Sequence, residues 1–231
     1  MNPTQFADEV SGSARLGQLD TPIRDLLSAY ARNPGRVESI TVVGNAPMAP
    51  DARRAELIDS SDLVFRMTTF ALDEPDAPPA YGTRADVVVV HRGLTASPYT
   101  FADYPSRMYL LAEPGRLFWE PETLPDWWPS DLGFVPISNR RFVVPLVRLL
   151  GLDPGQPVWA TTGTLVVYLC RELFPEATVK LTGVSILDNP DQTMFEHAWG
   201  DRVGITAEHR LHAESALLKS WSETGRIEIL P

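Results

Sequence analysis

The chain of 231 residues contains a single cysteine, Cys170. One cysteine can form no internal disulfide, so the chain suits a reducing compartment, and a free cysteine in an apolar helix is usually core filler. Long apolar runs are also missing. No stretch approaches the roughly 18–20 residues that a membrane-spanning helix needs. The opening residues MNPTQFADEVSGSARL have neither a basic start nor an apolar run, so they do not read as a secretory signal. These absences lead us to expect a cytoplasmic protein with no integral membrane segment. Positive charge is scarce too: 20 Lys and Arg against 30 Asp and Glu leave a formal net charge of −10. That balance argues against nucleic acid or an anionic membrane surface as the main partner, but it leaves room for a local pocket that takes one nucleotide.

What is present is a series of short, β-branched runs bounded by Gly, Pro and Asn, the pattern of buried strands. Ile40 to Val43 ends at Gly44-Asn45. A Pro-rich loop, a short helix near residues 52–57 and a second run, Leu63 to Met67, complete a βαβ unit. Ligands gather at the carboxyl ends of such strands. Gly44 allows close backbone approach there, and Asn45 offers both a donor and an acceptor. Ala85 to Val90 reads as a third strand, with His91 and Arg92 at its ligand end, and Met108 to Ala112 as a fourth. Upstream, residues 1–20 read as a loose, flexible arm. Thr21 and Pro22 then start a helix with Ile23, Leu26, Leu27, Tyr30 and Ala31 on its buried face. A helix over residues 140–150 is expected to kink or shorten at Pro145. Trp119, Trp127 and Trp128 lie in a loop, where they stack on a sugar or pack beneath the loop itself. Thr161 or Thr162 caps an apolar helix whose first turn holds Gly163, a ready site for an anion. Residues 189–201 read as a loop, and the last helix and strand follow from residue 209 onward.

Four blocks resemble the sialyl motifs of the animal-type sialyltransferases, glycosyltransferase family 29. VVGN followed by IDSSDLVFRM is similar to the large motif, through Val42, Val43, Gly44, Asn45, Ile58, Asp59, Asp62, Val64, Arg66 and Met67. Where that motif continues with Asn, this chain has Thr68. Ala160-Thr161-Thr162-Gly163, the apolar helix and the strand ending at Gly183 are similar to the small motif. His197-Ala198-Trp199 resembles the third motif, and His209 with Glu214 the very small one. The resemblance implies an α/β fold: a single Rossmann-like domain (a GT-A variant) over residues 21–231, with a mostly parallel central sheet and helices on both faces. It would be a bacterial-style cytoplasmic relative. The disulfide that joins the large and small motifs in animal enzymes would fall at Ile40 and Glu176, so that staple is absent.

The resemblance also implies a reaction: inverting transfer of sialic acid, or a similar acidic sugar, from a CMP-activated donor to a glycan or other hydroxyl acceptor. Such chemistry needs a base for the acceptor proton, donors for the departing phosphate and a held sugar. His209 is the candidate base, with His212 its competitor, and His197 the candidate donor to the phosphate. Glu214 faces inward, to orient a histidine or a backbone amide. Gly44, Asn45, Arg66, Thr68, Thr161, Thr162, Gly163 and Gly183 are the nucleotide and donor contacts. The chain has no Asp-x-Asp pair of the kind that holds a divalent metal on a nucleotide sugar, so no metal or other cofactor is expected. Two rivals stand beside this reading. One is a metal-dependent hydrolase using His197, His209, His212 and Asp188. The other is a non-catalytic nucleotide-binding or assembly module with the same fold.

Overall fold

The computed structural model describes residues 20–91, 93, 95–113, 126 and 128–231. Residues 1–19 of the expected arm, together with Arg92, Trp119 and Trp127, lie outside the described residues.

Seven strands form one sheet: β1 (Ser39–Val43), β2 (Leu63–Met67), β3 (Val87–Val90), β4 (Met108–Leu111), β5 (Val135–Pro136), β6 (Thr178–Thr182) and, after a separate hairpin of β7 (Met194–Glu196) and β8 (Arg202–Gly204), β9 (Glu228–Ile229). Their order is β5-β4-β3-β2-β1-β6-β9, and every neighbouring pair is parallel. A parallel sheet is covered on both faces, which is why these strands are continuous apolar runs rather than alternating ones. Val87, Val88, Val89 and Val90 are all 0% exposed.

The helices are α1 (Asp20–Ala29), α2 (Ala52–Ser60), α3 (Pro98–Phe101), α4 (Val144–Leu149), α5 (Thr162–Leu173) and α6 (Leu211–Glu223). Strand side chains alternate between the two faces. Ile40, Val42, Phe65 and Val89 pack with Leu27, Leu146, Leu169 and Leu218 from α1, α4, α5 and α6. On the other face, Val43 and Val64 meet Ile58 of α2. Val88, Val90 and Tyr109 pack against Phe70 and the partly buried aromatics of α3. Each such side chain contributes on the order of 1.5–3 kcal/mol by leaving water.

Several expectations are refined. Within α1 only Leu27 is fully buried, with Ile23 half-buried and Leu26 42% exposed, while Tyr30 and Ala31 pack in from the turn that follows the helix. The helix before residue 150 divides in two: a π-helical turn, Asn139–Val143, precedes α4, and Pro145, in the first turn of α4, stands at the junction where the bonding pattern changes. Trp128 is packed and not a platform. Its ring stands edge-on to Phe101 and Phe134, and its indole N–H donates to Leu132 O at 3.0 Å. The expected loop over residues 189–201 contains β7 and the turn of its hairpin. Cys170 is buried in α5. Among the described residues, no helix is long and apolar enough to cross a membrane.

Candidate active site

The chain lays strands β1 to β5 outward in one direction, then returns to place β6 on the opposite side of β1. Between β1 and β6 the loops therefore diverge and open a crevice at the strands' carboxyl ends, where ligands bind in such sheets. Gly44 and Gly183 sit there, pressed together. A Cβ on Gly44 would lie 2.0 Å from the Gly183 carbonyl oxygen. Gly183 has φ +66, and its own Cβ would come within 2.9 Å of Gly44 O. The amides of Gly44 and Ala46 continue the pairing past the strands, to Thr182 O at 2.8 Å and Gly183 O at 3.0 Å.

Above this floor lies a cleft of about 610 Å³, within the usual range for a small-molecule site. Nine of the proposed site residues line it: Gly44, Asn45, Thr68, Thr161, Thr162, Gly163, Gly183, His197 and His209. Its described lining includes no Lys or Arg side chain. The groups in it able to meet an anion are imidazoles and the start of α5, and Glu113 and Glu196 also line it.

His209 lies in the turn just before α6, not inside the helix. Its Nδ1 is 3.1 Å from the carbonyl oxygen of Trp159. A carbonyl only accepts, so Nδ1 carries the proton and Nε2 is left as a lone-pair acceptor in the neutral ring. The amide of Trp159 donates in turn to Glu208 O at 3.1 Å, which ties the two loops together. His212 goes elsewhere. Its Nε2 meets Asp191 at 2.8 Å, with both side chains largely in solvent, and it is absent from the cleft lining.

His197 comes from the β7–β8 hairpin. Its Nδ1 lies 2.9 Å from Asp201 Oδ2 and 3.1 Å from Thr69 Oγ1, so the carboxylate sets its tautomer. The backbone amide of Ala198 donates to Asn45 O at 2.7 Å, tethering the hairpin over the first strand's end. Asn45 Nδ2 donates to Thr68 Oγ1 at 2.9 Å, and its Oδ1 is buried without a partner.

Thr161 precedes α5 but does not cap it through its side chain. Its hydroxyl and amide both donate to Glu214 Oε2, at 2.7 and 2.9 Å. Glu214 is 0% exposed and is not part of the cleft lining. It therefore acts through Thr161, the amide-orienting role among those open to it in the sequence. With the Thr161 hydroxyl drawn away, the first-turn amides of α5 remain available to an anion in the cleft.

Arg66 needs a correction. It is 0% exposed and lies outside the cleft lining. Its guanidinium donates to Arg84 O at 2.9 Å and Tyr81 O at 2.7 Å. Burial pushes its pKa down to about 10, while Asp59, Asp73 and Asp86 pull it back up. Arg66 is a structural clamp beneath the sheet's loops, not a ligand contact.

The sequence left His91 open as a polar strand end on the ligand side, and it does line the cleft. His91 is an exposed residue, yet partial loss of water around its ring, and then the charge of His197, hold its pKa below the ordinary imidazole value. Thr69, Asp201 and Trp159 carried no sequence signal for the site. Each acts by holding a histidine: Thr69 and Trp159 across 128 and 50 residues of chain, and Asp201 from four residues away on the same hairpin.

No protein-family model and no curated protein matches the chain. Solved structures do. A mammalian sialyltransferase in complex with Gal-beta-1-3GalNAc-ortho-nitrophenol superposes with a TM-score of 0.56 at 18% identity, covering 84% of this chain and 69% of that one. A second mammalian sialyltransferase structure gives 0.55 with the same identity and coverage. At that identity the likeness establishes the fold: the chain has the α/β, Rossmann-like architecture of the sialyltransferases.

Proposed function

We propose that the chain is an inverting, metal-independent glycosyltransferase that moves an acidic sugar, sialic acid or a close relative, from a CMP-activated donor to an acceptor hydroxyl. The observation that carries this reading is the state of His209. Its Nδ1–H is committed to Trp159 O, so its Nε2 is free as a base, and it shares one cleft with His197 and the open helix start at Thr161-Thr162-Gly163. The superposition on mammalian sialyltransferases supports the same reading at the level of fold.

In the proposed reaction His209 Nε2 takes the acceptor hydroxyl proton as the oxygen attacks the anomeric carbon. The bond from that carbon to the phosphate oxygen breaks, and CMP departs with both bonding electrons. The first-turn amides of α5 stabilise the phosphate, and His197, with both ring nitrogens protonated, donates to it from Nε2. A monophosphate leaving group carries little charge, which a helix N-terminus and one imidazole can offset.

The test is nucleotide binding followed by turnover. CMP should raise the thermal midpoint more than UMP, GMP or AMP, since a ligand at about 100 times its Kd adds about 2.7 kcal/mol of stability. CMP-sialic acid should be turned over equally with and without EDTA. CMP binding without turnover would favour the non-catalytic nucleotide-binding module. Activity lost to EDTA and restored by a divalent ion would favour the hydrolase.

A further inference from the structure

Thr68 has φ +45, the left-handed region, where a β-branched side chain crowds its own backbone. Such a conformation is costly, and it persists only where the surroundings over-determine it. Three contacts do so here. The Thr68 amide donates to Val89 O at 2.9 Å. Its carbonyl accepts from Thr100 Oγ1 at 3.1 Å. Its Oγ1 accepts from Asn45 Nδ2 at 2.9 Å. The first two involve only the backbone of Thr68, and any residue there could make them. The third needs a side-chain hydroxyl.

Asn45 is held from two directions. Its backbone oxygen accepts from Ala198 N at 2.7 Å, and its side-chain amide is pinned by Thr68. Its Oδ1 stays buried and unpartnered at the cleft wall. An unsatisfied buried acceptor disfavours the empty site and is relieved by a ligand hydroxyl or amino group. We propose that Thr68 is a positioning residue, kept in a strained backbone conformation because its hydroxyl locks the Asn45 amide in place for the ligand. The proposal rests on the nucleotide-transfer reading only for its choice of CMP as probe.

Three variants separate strain from hydroxyl. Thr68→Gly removes both, Thr68→Val keeps the branched side chain without the hydroxyl, and Thr68→Ser keeps the hydroxyl without the branch. Ligand-free protein is measured first, by thermal midpoint and by nitrogen-15 relaxation of the Asn45 side-chain amide. Thr68→Gly should raise Tm by about 2–4 °C as the strain is released, while the Asn45 amide becomes mobile. In Thr68→Val the amide should also become mobile without a rise in Tm, and in Thr68→Ser it should stay rigid. CMP affinity should then fall about three- to tenfold in the Gly and Val variants, the net worth of one hydrogen bond, and recover in the Ser variant. An Asn45 amide equally rigid in all four proteins overturns the proposal, and so does a Thr68→Gly variant less stable than its parent. A parent that binds no CMP, with the ligand-free results as expected, would instead remove the nucleotide reading and leave the positioning role standing.

Discussion

The stretch from Ile40 to Thr68 holds two regions that share one sequence pattern and do different work. Its neutral residues, Gly44, Asn45 and Thr68, stand at the ends of β1 and β2 and line the cleft. Its charged residues face away from the cleft and knit loops together. Asp59 accepts from the amides of Thr83 and Arg84 at 2.9 and 3.1 Å. Asp62 accepts from the amides of Glu38 and Ser39, each at 3.0 Å. Arg66 clamps two carbonyls from below. The difference has a physical cause. A ligand crevice between diverging strands needs backbone approach and adjustable neutral groups, whereas a charge is affordable inside only when carbonyls or amides surround it. In this fold a charged residue in a motif marks the frame, and a small neutral one marks the site.

The sharpest break of that contrast lies with the histidines. His209 is held in the cleft through Trp159 O, and His212 pairs with Asp191 outside it. We predict that His209→Ala lowers turnover by about 10²–10⁴-fold, the usual worth of a positioned base, with CMP affinity retained. His212→Ala should stay within a few-fold of the parent. Turnover and CMP titration of both variants decide it, and a His212 variant that is the less active of the two would overturn the assignment.

Next in size is Arg66. Replacing it with Met leaves the Tyr81 and Arg84 carbonyls without their donor. Each buried acceptor left unsatisfied costs about 1–3 kcal/mol, so chemical denaturation should show a loss of roughly 2–5 kcal/mol. The protein that remains folded should bind CMP as the parent does. Stability unchanged with affinity lost would return Arg66 to the ligand.

How much of this was legible beforehand follows from the range of the forces involved. Local pattern located the sheet: β2 occupies Leu63–Met67 because a strand buried on both faces is almost wholly apolar, with Arg66 the one charge inside it, held by the Tyr81 and Arg84 carbonyls. Gly44 was legible for the same local reason, and Gly183 through the resemblance of its strand to the small motif. The β7–β8 hairpin was not. Its strands have three residues each and exposed Met194 and Val203, and it is tied down through Asn45 and Thr69, far away in the chain. Thr161 reads as an N-cap, yet its hydroxyl goes to Glu214, 53 residues on. Arg66 read as a ligand contact because a sequence does not show which carbonyls will surround a charge.

Glu214 tests whether the start of α5 is set from behind. Glu214→Ala removes the acceptor for both Thr161 donors and should loosen the first turn. We expect CMP affinity to fall about tenfold, an estimate based on one hydrogen bond to a charged group. Glu214→Gln, which keeps one acceptor oxygen, should recover most of it. Isothermal titration of the two variants is the measurement, and equal affinities would mean that the helix start holds itself.

The smallest expected effect is a proton. His91 and His197 share the cleft, and partial loss of water around its ring, with the charge of His197, holds the His91 pKa below its ordinary value of 6.5. A histidine with a depressed folded pKa binds fewer protons in the native state than in the unfolded one. Its contribution to stability is therefore unaffected above about pH 6.5 and becomes unfavourable as pH falls from there through the folded pKa. An anion in the cleft acts in the opposite direction, because it favours the charged ring. CMP binding near pH 6 should then take up a fraction of a proton, and CMP affinity should rise as pH drops from 8 to 6. Titration calorimetry in buffers of different ionisation enthalpy reads that uptake directly. His91→Gln should reduce it. If the variant takes up as much proton as the parent, His91 lies too far from the bound anion to sense it.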